Sequence, residues 1–305
     1  MPGSARDREA VDGPDVIAAD DLDALTRTGA PLPEQRAALA RALSERGVAD
    51  RAIGLVLDRT RPGIALTGAR DPRRTRIGGP GVLPPGAAWP GRWAECFDGV
   101  TRFLHLTLLA VIDFSELPHV PPLPPDGTLV LYHDLETHGF GQPFSGTRAL
   151  YVPKGEPLVE APEPEHVTCP LPGRAMTGVA VPISGEPEAV LRELPEEEHE
   201  PLIEAMNDLS GARNGDHHLA GSSVDIQGPA LEEVAWTLQE LAPSDRPAFT
   251  DAELAGVGWT LLAQVNEEPA IDLAIGDGGA LYFAIPAIDL AARRFDRVFA
   301  VMQCR

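Results

Sequence analysis

The chain is poor in several things, and each shortage removes a class of function. Basic residues number 25 against 46 acidic ones, for a formal charge of −21. Such a surface repels phosphate backbones and anionic lipid, so neither nucleic acid nor a membrane surface is an expected partner. Cysteine is scarce: Cys96, Cys169 and Cys304 are 3 in number and show no CxxC spacing, which points to a reducing compartment. Long apolar runs are missing. The most apolar window, Phe103 to Phe114, is too short to span a bilayer and carries His105. The opening residues Met1 to Glu9 have no apolar stretch of the secretory type, so a cytoplasmic location is expected. Catalytic fingerprints are absent as well. There is no G-x-S-x-G elbow, no Walker loop and no dinucleotide-binding glycine pattern; Gly256-Val-Gly258 precedes a strand-like run.

Glycine and proline are abundant, at 30 and 31 residues of 305, and imply many turns between short elements. The chain also echoes itself. Thr107-Leu-Leu-Ala-Val-Ile-Asp113 matches Thr260-Leu-Leu-Ala-Gln-Val-Asn266, and Gly127 and Gly279 follow at similar distances. Upstream, Gly79 and Gly86 bracket a turn-rich stretch, as do Gly221 and Gly228. This pattern predicts an internally duplicated body whose seam would hold a ligand or partner.

Residues 1–60 read as an acidic arm followed by accessory helices, one opened by Pro33 and one capped by Asp50. Residues 61–154 read as a first half, with strands at Ile64–Thr67, Phe103–Phe114 and Thr128–His133. Residues 155–210 are Pro-rich and then acidic, and read as a connector carrying helices at Pro187–Leu194 and Pro201–Leu209; Glu196, Glu197, Glu198 and Glu200 form a solvated face. Residues 211–305 read as a second half: a helix from Pro229, strands Trp259–Val265, Ile271–Ile275 and Ala280–Ile285, a short helix from Pro286 and a last strand Arg297–Gln303. Asp277-Gly278 reads as a hairpin turn. The expected fold class is α+β: two related halves with antiparallel sheets and flanking helices, residues 61–305 forming one compact domain beside the N-terminal helical extension.

Three ordered blocks carry a family resemblance. Ile77-Gly78-Gly79 with Leu83-Pro84, Trp89-Pro90 and the first echo forms one; His218-Leu-Ala-Gly221 with Ile226-Gln227-Gly228 forms another. Gly276–Gly279, Leu281-Tyr282-Phe283 and Phe295–Cys304 form the last. Over residues 64–305 the chain resembles the YwqG-like family. That resemblance implies a bacterial α+β protein of two related halves, in a family catalogued as a domain of unknown function. Some members lie near toxin or secretion loci, which implies an immunity-type or partner-binding role. Two places depart from the family pattern: Ser222-Ser223 replace an aromatic and a proline, and Ala274-Ile275 replace a Met-Trp pair.

The candidate site residues follow from chemistry. Arg70, Arg73, Arg74 and Arg76 form a basic cluster in an acidic chain, and guanidinium forks suit carboxylate or phosphate. Arg76 abuts Gly78 and Gly79, whose N–H groups can approach an anion. His218 is the candidate acid/base group, while Gln227 precedes a helix N-terminus and Trp89 and Asp277 complete the ligand-binding set. His217 and His218 are adjacent and point apart, so they make a poor metal pair, and His133-x4-His138 is not a zinc-peptidase motif. No metal and no cofactor are expected. Two functional readings result: a non-catalytic protein that binds a basic protein partner, or an enzyme or carrier for a small anionic metabolite held in the seam. The residue patterns name no reaction.

Overall fold

Apolar runs bounded by glycine and proline put most of the chain into strands. The computed structural model describes residues 31–96, 98–137, 146–164, 167, 169–185, 188–210, 217–241, 249–250, 254 and 256–305. The expected arm over residues 1–30, together with His138 and the start of the second half at 211–216, lies outside these. Two helices come first, α1 (Leu32–Glu45) and α2 (Asp50–Arg59), and then β1 (Arg61–Gly68) and β2 (Arg76–Ile77). A short strand β3 (Val82–Leu83) leads to the hairpin of β4 (Gly91–Glu95) and β5 (Thr101–His105). The meander β6 (Thr107–Asp113), β7 (Thr128–His133) and β8 (Thr147–Val152) follows. After β9 (Val159–Glu160) and the long β10 (Arg174–Ile183) come helices α3 (Glu188–Leu191) and α4 (His199–Ser210). The chain closes with β11 (His217–Ala220), α5 (Ala230–Glu240), β12 (Trp259–Asn266), β13 (Ala280–Pro286), α6 (Ala287–Ala291) and β14 (Phe299–Gln303).

Ten strands join in one sheet, in the order β14-β13-β12-β11-β1-β10-β2-β6-β7-β8, with every named pair antiparallel. The sheet curls until its ends approach. Tyr151 of the terminal strand β8 stacks on Phe295, just before β14, with ring centroids 4.9 Å apart, and His133 of β7 meets Phe283 of β13 at 5.9 Å. The result is a nearly closed, barrel-like body whose largest buried cluster runs from Ile64, Leu66 and Ile77 to Leu131, Leu219, Leu281 and Phe283. Helix α5 buries Ala230, Val234 and Leu238 in the same cluster. Helices α1 to α4 form a separate cap with its own core, including Leu39, Leu43, Val56 and Leu202. Buried Gln35 of that cap docks on β10, its amide donating to the Ala180 carbonyl at 2.8 Å.

This architecture corrects the expected α+β fold of two related halves. The chain is dominated by one continuous sheet with few helices at its periphery. The decisive strands are β1 and β10. They pair with each other, and β1 also pairs with β11 while β10 pairs with β2, so no break divides the ladder. Segment 155–210, read as a connector, thus supplies a central strand. Its sequence hides the fact, because Gly178 and Pro182 interrupt the apolar pattern; Pro182 faces Pro62 at the strand ends, where neither missing N–H weakens the middle of the ladder.

The echoing Thr-Leu-Leu-Ala segments lie in β6 and β12, each third from an end of the sheet, and both shift register between the first leucine and the alanine. The echo therefore marks a repeated bulged strand, which bends the sheet, rather than two balanced halves. The expected strand Ile271–Ile275 is another correction. Ile271 closes a 3-10 turn, and Leu273 makes only an isolated bridge to Glu268. The hairpin is instead β12–β13, with the Asp277 turn inside its long connection.

Candidate functional site

The predicted site residues fall in three places. Arg76 on β2, Gly78, Gly79 and Trp89 lie together around Tyr132. His218 on β11 precedes the loop that carries Gln227, and the two strands β1 and β10 separate β11 from β2. Asp277 is alone in an exposed turn, its carbonyl accepting from the Arg305 N–H at 2.9 Å.

At the first place the polar groups are engaged by the protein itself. The Arg76 guanidinium donates to the carbonyls of Gly78 at 3.1 Å, Pro80 at 2.6 Å and Arg74 at 3.4 Å. Burial lowers its pKa, against the opposing pull of Glu160 and Tyr132. Gly78 N–H donates to Leu109 and Gly79 N–H to Leu171, at 2.8 and 2.9 Å. Both glycines have positive φ, +66° and +87°, so the turn needs them for its shape. The Trp89 indole N–H is bound to the Leu106 carbonyl at 2.9 Å, with the ring edge-on to Tyr132. Of the other cluster members, Arg74 meets Asp113 at 3.5 Å, while Arg70 and Arg73 are exposed.

The second place borders a cavity of about 350 Å³. Its wall is assembled from distant segments: Arg59 at the end of α2, Arg61 at the start of β1, Ser184 and Gly185 after β10, and Arg192 after α3. The loop from Ser222 to Pro229 and Glu232 of α5 complete it. The loop is held in shape by side chains from beneath. Gln264 accepts from Val224 N–H at 2.9 Å and donates back to its carbonyl at 3.1 Å, and the Tyr282 hydroxyl donates to that carbonyl at 2.7 Å. The Gln303 side-chain oxygen accepts from the N–H groups of Ile226 and Gln227 at 2.8 and 3.1 Å, and its amide donates to Gly228 and Glu233 at 2.9 and 2.7 Å. Buried His218 donates from Nε2 to the Ser222 carbonyl at 3.2 Å, and the Ser222 hydroxyl donates to the Arg59 carbonyl at 2.9 Å. His218 thus positions the loop, and Gln227 is pinned by its backbone with its side chain exposed.

The charge of this cavity runs against that of the chain. Arg59 pairs with Glu193, whereas among the described residues the Arg61 guanidinium donates only to main-chain carbonyls of Asp58 and Thr60, at 2.5 and 3.2 Å. Arg192 is exposed and has no hydrogen bond or ion pair among the described residues. Asp225 and Glu232 are the acids on the wall. Helix α5 starts at the rim, so the positive end of its dipole adds to the arginines. The sequence reading missed Arg59 and Arg61, which flank Thr60, and Arg192, which lies far along the chain from them. The signal that did reach this site was Ser222-Ser223, the departure from the family pattern, since both serines line the cavity.

A buried titratable group sits at the other end of β11. His217 Nδ1 accepts from Asn266 N–H at 3.1 Å, and Nε2 lies 3.5 Å from Glu268, which is also paired with Arg174. Burial outweighs Glu268 and lowers the His217 pKa to about 4.

Over residues 75–304 the chain matches a family model described as a domain of unknown function, DUF1963. The chain belongs to that family. No curated protein matches it. The DUF1963 match takes in β2 to β14 and the whole Ser222–Pro229 loop, but not α1, α2 or β1. Arg59 and Arg61 therefore come to the cavity from outside the DUF1963 region, whereas Arg192 and the serines come from within it. Among the described residues no group of three or more His, Cys, Asp or Glu side chains is placed to hold a metal ion, and no helix is long and apolar enough to cross a membrane.

Proposed function

We propose that this DUF1963 protein binds a small anionic molecule in the cavity between its helical cap and the curled sheet, as a carrier or sensor. One observation carries this reading: Arg59, Arg61 and Arg192 converge on a cavity of about 350 Å³ in a chain of charge −21. The cavity is large enough for a metabolite of a few carbons. Guanidinium forks, serine hydroxyls and a helix N-terminus are the groups that recognise carboxylate or phosphate. The pinned loop supports binding without large rearrangement, which lowers the ordering cost. The finer likeness to the YwqG-like family rests on the sequence blocks alone and favours a binding role over a named reaction.

The test is thermal unfolding in inorganic phosphate and in citrate, against chloride at matched ionic strength. A ligand at about a hundred times its Kd stabilises the fold by about 2.7 kcal/mol, and the midpoint rises accordingly. Arg61→Ala and Arg192→Ala should keep the midpoint measured in chloride and lose the rise. Equal rises in wild type and both variants would overturn the assignment of this cavity.

A further inference from the structure

The hairpin of β4 and β5 carries an aromatic ladder on its outer face. Trp93 and Phe103 are direct cross-strand partners with ring centroids 5.7 Å apart and edge-to-face geometry, and Phe103 continues to His105 at 5.2 Å. Trp93 is 70% exposed and Phe103 38%, with Val100 at the tip 52% exposed. The ladder is built to stand there. The Phe103 ring lies across Gly91, where a Cβ would come within 2.5 Å of it, so the glycine makes room for the ring to rest on the neighbouring strand. The inner face of the hairpin is anchored by buried Ala94, Cys96 and Leu104 and by the buried Arg92–Asp134 ion pair. A rigid hairpin thus holds two large rings in water, an arrangement that folding alone does not require.

The surrounding charge selects the occupant. Glu95 follows Trp93 on the same face and is exposed, as is Asp98 in the turn, whose carboxylate is held ionised below its usual range chiefly by the Val100 N–H. Arg102, the nearby base, is engaged with Asp98. Aromatic faces beside carboxylates attract ammonium and guanidinium groups through the ring quadrupole. A second copy of this chain is a poor fit, because two bodies of −21 repel. The hairpin is a two-stranded sheet of its own, so an extended segment can also lie along the β4 edge.

We propose that the outer face of the β4–β5 hairpin docks a basic, extended segment of another protein, with arginine or lysine side chains stacked on Trp93 and Phe103 beside Glu95. This site is separate from the anion cavity and does not depend on it. The probe is a short synthetic peptide of alternating arginine and serine, titrated calorimetrically into the full chain, with the same peptide carrying glutamate for arginine as control. The expected result is binding of the arginine peptide alone, weakened roughly tenfold by Trp93→Ala or Phe103→Ala and further by Glu95→Lys. Trp93 is exposed, so its variant should keep the wild-type unfolding midpoint, which is checked first. Unaltered peptide binding by Trp93→Ala and Phe103→Ala would show attraction to bulk charge only and overturn the proposal. So would equal binding of the glutamate peptide, or Trp93-dependent binding of cellohexaose in place of the arginine peptide.

Discussion

Arg92 and Asp134 form the most deeply buried ion pair described here, their side chains 6% and 1% exposed and 3.1 Å apart. Asp134 also accepts from the Thr137 hydroxyl at 2.7 Å and from the N–H groups of Glu136 and Thr137 at 3.0 and 3.2 Å. Removing one partner strands a charge in a medium that solvates it badly. Arg92→Ala is therefore expected to destabilise the protein by about 3–5 kcal/mol, read as a lower urea midpoint. The double change Arg92→Met with Asp134→Asn should recover much of that loss, because it leaves no buried charge while the amide oxygen still accepts from Thr137 and Glu136. Nothing in the sequence around Arg92 marks it for burial, whereas a basic cluster beside two glycines marks Arg76 as the ligand-binding candidate. The first is buried against a carboxylate and the second clamps its own turn, and only the folded surroundings separate them.

The elements that shape the cavity are joined by amides rather than charges. Gln303 on β14 bonds four groups of the Ile226–Glu233 segment with one side chain, so it couples the last strand to the start of α5. Gln303→Leu keeps the volume and removes every one of these bonds. It should cost about 2–6 kcal/mol, at roughly 0.5–1.5 kcal/mol for each of the four hydrogen bonds lost. Amide hydrogen exchange at Ile226 and Gln227 should accelerate in the variant, and anion binding should weaken with it. Unchanged exchange at those amides would contradict the pinned-loop account. The family blocks at 226–228 and 295–304 were legible as separate pieces of sequence; that one holds the other became visible only in the fold.

The molecule as a whole stores a pH dependence at the end of β11. His217 is neutral when folded, its pKa lowered to about 4 by burial, whereas an unfolded histidine titrates near 6.5. Between those values the unfolded chain binds the proton and the folded one does not. Stability from this group is complete above about pH 6.5 and is lost as pH falls toward 4, with a slope of at most about 1.4 kcal/mol per pH unit. Glu268 and Arg174 face the ring and oppose each other, Glu268 favouring the proton and Arg174 disfavouring it. Urea unfolding of wild type and His217→Gln from pH 7.5 to 4 isolates the effect: the wild-type curve should fall more steeply in that window. Parallel curves would sink the assignment.

Local pattern decided the elements that need only local information. Pro33 starting a helix, the amphipathic run after Pro229, and the apolar runs at Thr128–His133 and Ala280–Ile285 all form as their spacing dictates, because the helices bury one periodic face and the two continuous apolar runs bury both faces of their strands. Composition likewise set the charge of −21. Tertiary structure alone decided the single curled sheet, since the pairing of β1 with β10 joins residues more than a hundred positions apart across a Pro-rich stretch with no periodic signal. It also chose the cavity. The arginine cluster at 70–76, conspicuous in the sequence, leaves Arg76 and its glycines occupied by their own main chain, while Arg192 meets the close pair Arg59 and Arg61 at one wall from more than a hundred positions away. Convergence of that kind is a property of the path of the chain in space, and no spacing of residues along it records the meeting.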